Sequence, residues 1–200
     1  MSDSVVWIVD DDEAVCDSLG LLLKTVGLTA RTFPDGKSFL ENFEDDLPGC
    51  IVVDLRMPGM SGLELQDALH QRRSTVPIVF ITGHGTVDSA VHAMRAGAID
   101  FLTKPVDDQE LLDTIQRAIR MDRESRESLS EREKLAERYA TLTNREKEVM
   151  ALVVEGHANK VMAYDLGVSE RTIEIHRSRV MKKMEANSLP HLVRMALDLK

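Results

Sequence analysis

The sequence lacks the features that mark several protein classes. No apolar run approaches the roughly 18 residues that span a membrane, and the first residues lack the basic-then-apolar pattern of a secretion signal. The two cysteines, Cys16 and Cys50, have no CxxC spacing, which favours reduced core residues over a redox pair. We therefore expect a protein that works in the cytoplasm and contacts no membrane.

Charge is unevenly distributed along the chain, whose net charge is −9. Residues 1–120 contain 20 Asp and Glu against 10 Lys and Arg, a net charge of −10. Residues 141–200 contain 8 Asp and Glu against 10 Lys and Arg, a net charge of +2. An acidic first part and a mildly basic last part indicate two domains with different tasks.

The first part alternates short apolar runs with longer amphipathic segments. The apolar runs predict strands at residues 5–9, 28–33, 51–55, 78–82 and 99–103. The segments between them predict helices at residues 13–26, 36–43, 62–71 and 86–96, and a fifth helix from residue 107. This alternation is typical of an α/β fold, a doubly wound five-stranded parallel sheet with helices on both faces.

The rest of the chain reads as helical. Residues 121–139 contain no Gly or Pro and few apolar residues, which predicts a solvated linker helix, with a coiled-coil contact as the alternative. The last sixty residues predict four helices, the first opened by a capping box at residues 143–146. Among them, a short helix, a turn with Gly167 and a longer basic helix form the pattern of helix-turn-helix DNA readers.

The stretch "CIVVDLRMPGMSG" ends a buried strand on Asp54. An aspartate at a strand end can be a helix cap, a metal ligand or a nucleophile. Because the carboxyl ends of parallel strands meet at one edge of the sheet, Asp54 should lie close to Asp10, Asp11, Thr82 and Lys104, which also follow or end strands.

This combination of groups suits phosphoryl transfer. Crowded carboxylates repel one another unless a cation joins them, and Mg²⁺ prefers oxygen ligands. The ammonium group of Lys104 and the hydroxyl group of Thr82 can hold a phosphoryl group on Asp54, since aspartate is an established phosphoryl acceptor. The edge is therefore a candidate site for magnesium-assisted phosphorylation.

The motifs "VDDDE", "DLRMPGMSG", "ITGHG" and "TKP" together resemble the receiver domain of two-component response regulators, a flavodoxin-like fold, over residues 4–120. The resemblance implies that Asp54 is the phosphoacceptor and that Asp10, Asp11, Asp54 and the backbone carbonyl of Arg56 hold Mg²⁺. It also implies that Lys104 binds the phosphoryl group, that Thr82 and Phe101 form the switch, and that the Lys104–Pro105 bond is cis. Asp12 is better read as a helix N-cap.

The basic helix near the end of the chain has one apolar stripe, formed by Ile173, Val180 and Met184. After a helical linker at residues 121–138, residues 139–200 resemble the LuxR-type helix-turn-helix domain. The pair of domains is similar to the FixJ/NarL class of response regulators, and most similar to FixJ. By this resemblance the DNA-binding residues are Lys160, Arg171, Thr172, Glu174, His176, Arg177, Ser178, Arg179, Lys182 and Lys183. Among them, Arg171, Glu174, Arg177 and Ser178 are candidates to touch bases, and His176 and the nearby basic residues to meet the DNA backbone.

The resemblance implies a transcriptional regulator that is phosphorylated by a sensor histidine kinase and acts on double-stranded promoter DNA and RNA polymerase. A homodimer should form on phosphorylation, with Met94, Arg95 and Asp100 as contacts. The protein should transfer a phosphoryl group only to itself, without acting as a turnover enzyme. A haloacid-dehalogenase-type phosphatase is one alternative, but that class needs a second aspartate where this chain has Arg56. A ligand-sensing LuxR regulator is another, but residues 1–120 show no sign of an aromatic-lined apolar pocket.

Overall fold

A computed structural model describes residues 4–83 and 85–199. His84 of the "ITGHG" motif and Lys200, the last residue of the predicted second domain, lie outside the described residues. The chain divides into two compact units, with the division between Arg126 and Glu127. The limits 4–120, 121–138 and 139–200 drawn from the sequence stay a prediction.

The first unit is built on one parallel sheet. Its strands are β1 (Val5–Val9), β2 (Thr29–Phe33), β3 (Gly49–Asp54), β4 (Ile78–Thr82) and β5 (Asp100–Thr103). They are hydrogen-bonded in the order β2-β1-β3-β4-β5, and every pair is parallel. The chain order therefore reverses at β1 and β3, where a doubly wound sheet opens its ligand crevice. The predicted fold is confirmed.

Helices cover both faces of this sheet. They are α1 (Glu13–Thr25), α2 (Gly36–Asn42), α3 (Gly62–Gln71), α4 (Val87–Arg95) and α5 (Asp108–Ala140). Successive strand residues point to opposite faces, so Trp7 and Ile51 join one buried cluster while Ile8 and Val52 join the other. Burial on both faces explains why β1 and β3 are apolar without alternation.

Helix α5 begins where the sequence predicts a fifth helix. It runs unbroken over 33 residues and includes the predicted linker, because residues 108–140 contain no Gly or Pro to end it. Within the part of the chain that the structure describes, no helix combines the length and the apolar character needed to cross a membrane.

The second unit is helical and has its own core. After the end of α5 come α6 (Asn144–Val154), α7 (Asn159–Asp165), α8 (Glu170–Lys183) and α9 (Leu189–Asp198). Thr143 caps α6 in the predicted capping box with Glu146. Ile173, Val180 and Met184 are buried, which confirms the predicted apolar stripe of the basic helix.

Candidate functional site

Two carboxylates meet at the carboxyl edge of the sheet. Asp54 is the last residue of β3 and Asp10 follows β1, its neighbour in the sheet. Only 4% of Asp10 and 7% of Asp54 is exposed. Oδ2 of Asp54 accepts the backbone N–H of Arg56 at 2.6 Å, and Oδ1 of Asp10 accepts that of Asp12 at 3.0 Å. Each carboxylate is therefore held in place by the loop that follows it.

Lys104 links the two acids. Its Nζ lies 2.6 Å from Oδ2 of Asp10 and 3.2 Å from Oδ1 of Asp54. Partial burial lowers the pKa of Lys104, but hydrogen bonds and charge from Asp10 and then Asp54 outweigh burial, so its pKa is raised. The lysine stays protonated at neutral pH, and the three residues carry a formal charge of −1.

The loop after β3 reaches this geometry through small residues. A Cβ atom on Gly62 would lie 2.4 Å from the carbonyl oxygen of Asp54, so only glycine allows α3 to start so close to the end of the strand. Ser61 caps α3 in a capping box with Glu64. The "MPGMSG" stretch thus turns the chain sharply while leaving the carboxylate of Asp54 at the rim.

The oxygen donors suit a hard divalent cation. Asp11 is exposed, and Asp12 is the N-cap of α1, accepting the N–H of Ala14 at 2.9 Å. Residues 4–83 and 85–199 contain no group of three or more Asp, Glu, His or Cys side chains that could hold a metal ion. Mg²⁺ needs only one or two carboxylates, with carbonyl, water or phosphate oxygens completing its shell. Asp10, Asp11, Asp54 and the backbone carbonyl of Arg56 are the oxygen donors that could hold such an ion, and a cation is favoured because Asp10 and Asp54 share one ammonium group.

The proposed switch residues lie beside this cluster. Thr82 ends β4 and is buried, and Phe101 in β5 is half-buried and stacks on Phe80 with ring centroids 5.9 Å apart. A Cβ atom on Gly85 would lie 2.7 Å from the Phe101 ring, so glycine lets the loop after β4 pack against it. The Lys104–Pro105 bond is cis, as the resemblance implies.

The expected dimer contacts lie on and after α4. Met94 and Arg95 are exposed, while Oδ2 of Asp100 is 2.5 Å from Nη2 of Arg117. Val87 and Val91 are also exposed, so α4 presents an apolar stripe that the sequence analysis did not single out. The sequence could have predicted this apolar stripe, because positions 87, 91 and 94 have helical spacing.

The second unit offers α8 as its basic surface. The exposed predicted DNA contacts are Lys160, Arg171, Glu174, Ser178, Arg179 and Lys182, and the half-buried ones are Thr172, His176, Arg177 and Lys183. Nη1 of Arg177 donates to Oδ1 of Asn159 at 2.6 Å, which ties α8 to α7. Nζ of Lys183 donates to Glu146 at 2.6 Å and to the Thr141 carbonyl at 3.0 Å. These two cations have partners inside the protein.

Ile175 was missed by the sequence analysis. It is 46% exposed and lies on α8 beside Glu174, outside the buried stripe. An apolar residue on this surface contributes little to the core, and it can contact a thymine methyl group in a major groove. The sequence could have predicted that Ile175 lies outside the buried stripe, because it is two residues from Ile173 and therefore on another face of the helix.

Comparison with protein families matches both units. Residues 6–116 match the response regulator receiver domain, and residues 140–196 match the bacterial regulatory proteins of the luxR family. Together the two matches cover most of the chain, in the order expected from the sequence.

Individual relatives match over nearly the whole length. The transcriptional regulatory protein FixJ of Rhizobium meliloti is 44% identical, over 98% of this chain and 97% of the relative. The response regulator protein TodT of Pseudomonas putida is 40% identical, over 100% of this chain and 89% of the relative. A solved structure of the response regulator StyR is 40% identical and aligns with a TM-score of 0.91, over 98% of this chain and 99% of that one.

Proposed function

The chain belongs to the transcriptional response regulators that join a receiver domain to a LuxR-type DNA-binding domain, and from this we propose that phosphorylation of Asp54 is its switch. A receiver domain implies a sensor kinase as phosphoryl donor, and a LuxR-type domain implies DNA as target. The observation that carries the proposal is the position of Lys104, whose ammonium group is shared between Asp10 and Asp54.

In the proposed transfer, a carboxylate oxygen of Asp54 forms a bond to phosphorus while the bond from phosphorus to the donor histidine breaks. Oδ2 of Asp54 is fixed by the Arg56 N–H, so Oδ1, which faces Lys104, is the better placed nucleophile. Lys104 then passes from the carboxylate to a phosphoryl oxygen, and the hydroxyl group of Thr82 donates to another. Mg²⁺, held by Asp10, Asp11, Asp54 and the carbonyl of Arg56, would supply positive charge to the transferring group.

The test is phosphoryl uptake from acetyl phosphate in the presence of Mg²⁺. The intact protein should gain one labile phosphoryl group, and Asp54→Asn, which preserves shape, should gain none. Asp12→Asn is the matched control, because Asp12 is an exposed rim aspartate whose capping role asparagine can keep. Full labelling of Asp54→Asn at another residue would rule out Asp54 as the acceptor.

We propose that α8 enters the major groove of double-stranded promoter DNA. The exposed cations Lys160, Arg179 and Lys182 are placed to contact phosphates, with Thr172 and His176 beside them. The exposed Arg171, Glu174, Ile175 and Ser178 are placed to meet base edges. Arg177 and Lys183, which are bonded to Asn159 and Glu146, are better placed to fix α8 than to read bases. Recruitment of RNA polymerase in the cytoplasm would follow binding.

Phosphorylation should act through shape and not through direct charge. A phosphoryl group adds negative charge to a region of net charge −10, which by Coulomb action alone would weaken binding to DNA. We propose that Thr82 and Phe101 change the surface of α4 and β5, where Met94, Arg95 and Asp100 support a homodimer. Two linked α8 helices would then bind adjacent half-sites. Sedimentation should show a dimer only after phosphorylation, and a phosphorylated monomer that binds DNA more tightly would contradict this mechanism.

A further inference from the structure

The first turn of α6 carries two adjacent side chains that bond to opposite ends of α8. Glu146 accepts a hydrogen bond from Nζ of Lys183, the last residue of α8, at 2.6 Å. Arg145, the residue before Glu146, donates from Nη2 to the backbone carbonyl of Leu166, in the turn that leads into α8. Since α8 has 14 residues, it is about 21 Å long. Two consecutive residues of α6 therefore hold both ends of a long helix.

The Leu166 carbonyl lies in the turn that sets the direction of α8. Leu166 is the C-cap of α7, where a helix leaves backbone carbonyls without a partner inside the helix. Gly167 follows in the left-handed region, with a φ of 65°, and Ser169 is the N-cap of α8. The direction in which α8 leaves the turn depends on a few backbone dihedral angles, and the bond from Arg145 restrains them.

The guanidinium group of Arg145 is itself held in place. Its Nη1 lies 2.8 Å from Oε2 of Glu148, which is also on α6. The Arg145 side chain is 34% exposed, so its bond to the turn is partly shielded from water. A guanidinium group is planar and donates through several nitrogens in fixed directions, so it can bond to Glu148 and to the Leu166 carbonyl at the same time.

We infer that Arg145 is a positioning residue of the DNA-binding surface, which sets the angle of α8 and so the discrimination between base sequences. This inference rests on the proposed function of α8 as the helix that enters the major groove. Contacts to phosphates tolerate a small change in that angle, because long and flexible side chains make them. Base edges are read through hydrogen bonds of defined geometry, so the same change removes base contacts. Loss of Arg145 should therefore weaken binding to a specific site more than binding to other DNA.

The probe is a DNA duplex that the full-length protein selects from a random pool in the presence of acetyl phosphate and Mg²⁺. Its affinity is compared with that of a scrambled duplex of the same composition. Arg145→Met should reduce the ratio of the two affinities about tenfold, which is the cost of roughly one lost base contact. Arg145→Lys keeps one donor for the Leu166 carbonyl and should recover part of the ratio. A smaller folded fraction lowers both affinities equally, so the ratio separates positioning from stability.

Arg138→Met is the matched control. The Arg138 side chain is also 34% exposed, but its Nη2 bonds to the side chain of Glu185, an exposed residue beyond the end of α8, at 2.5 Å. This bond restrains no backbone group in the turn before α8, so Arg138→Met should leave the ratio of affinities unchanged.

Three results would overturn the inference about Arg145 alone. The ratio could be the same in Arg145→Met and in the intact protein, or it could fall equally in Arg138→Met. The salt dependence of binding to the scrambled duplex could also lose about one unit of slope in Arg145→Met, which would mean that Arg145 contacts a phosphate. An intact protein that selects no sequence would instead contradict the proposed function of α8, and this inference with it.

Discussion

Each unit of the protein contains a buried carboxylate bonded to a lysine at 2.6 Å, but the two pairs differ in balance. Asp10 shares Lys104 with Asp54, so two carboxylates have one ammonium group. Glu146 has Lys183 to itself and also accepts the N–H of Thr143 at 2.9 Å. Lys183 in turn donates to the carbonyl of Thr141.

This difference shows how the same kind of ion pair, a lysine with a buried carboxylate, serves different roles. The cluster at Asp54 keeps an excess of negative charge and an ammonium group that can change partners, which are the conditions for accepting a cation and a phosphoryl group. The pair at Glu146 is neutral and its hydrogen bonds are used within the protein, so it fixes α8 against the start of α6. The distances alone do not distinguish them.

The largest expected effect is on the rate of phosphorylation. Lys104→Met should slow phosphoryl uptake from acetyl phosphate by about a hundredfold at saturating Mg²⁺, because one positioned charge that stabilises the transferring group is lost. Lys183→Met, the same substitution in the other pair, should leave the rate unchanged. Phosphate-affinity gels report both rates, and a similar loss in the two variants would remove the distinction.

The second effect is on stability. Lys183→Met leaves Glu146, which is 2% exposed, without its charged partner and should lower the free energy of unfolding of the second unit by roughly 1–3 kcal/mol. Glu146→Gln in the same chain should recover part of this loss, since no charge then stays buried and unpaired. Urea unfolding of the two single variants and the double variant measures the coupling, and additive losses would show that the pair is not a unit.

The convergence of Asp10, Asp54 and Lys104 was predictable because parallel strands place their ends at one edge. The bounds of β1, β4 and α3 were also predictable, since apolar runs and cap residues mark them. The resemblance implies that Lys183 contacts DNA, which stays a prediction, but its bond to Glu146 was not foreseen. Glu146 is 37 residues from Lys183 in the sequence, and no local sequence pattern predicts a contact over that separation.

The continuity of α5 was missed for a related reason. The change in composition near residue 121 indicated a boundary, but a helix can continue across such a change when no Gly or Pro interrupts it.

A smaller effect separates two adjacent lysines of α8. Lys182 is exposed, whereas Lys183 is bonded to Glu146. Lys182→Met should weaken binding to all DNA sequences and reduce the slope of log affinity against log salt by roughly one unit, because one phosphate contact is lost. Lys183→Met should leave that slope unchanged under conditions where the second unit is folded. Equal slopes in both variants would mean that the exposed lysine makes no phosphate contact.

The smallest expected effect is on the dependence of stability on pH. The contribution of Glu146 should be lost in acid and that of Lys104 in alkali. The hydrogen bond from Lys183, followed by that from the Thr143 N–H, lowers the pKa of Glu146 from its usual 4.5. A group with a lowered folded pKa contributes stability above its unfolded pKa, and this contribution is lost as the pH falls through the folded pKa. The raised pKa of Lys104 has the reverse sign, so its contribution is full below its usual 10.5 and is lost as the pH rises through the folded value.

Thermal unfolding without Mg²⁺, measured over a range of pH, should show the loss in acid and the loss in alkali separately. Glu146→Gln should be less stable than the intact protein at neutral pH, and the difference should shrink in acid below pH 4.5. Glu148→Gln is the matched control, because Glu148 is exposed and pairs with Arg145 at the surface, where ion pairs contribute little. Between neutral pH and about pH 10.5, Lys104→Met should differ from the intact protein by a constant amount, and the two should converge in stronger alkali. A Lys104→Met difference that stayed the same in strong alkali, or a Glu146→Gln difference that stayed the same in acid, would show that these two pKa shifts do not contribute to stability.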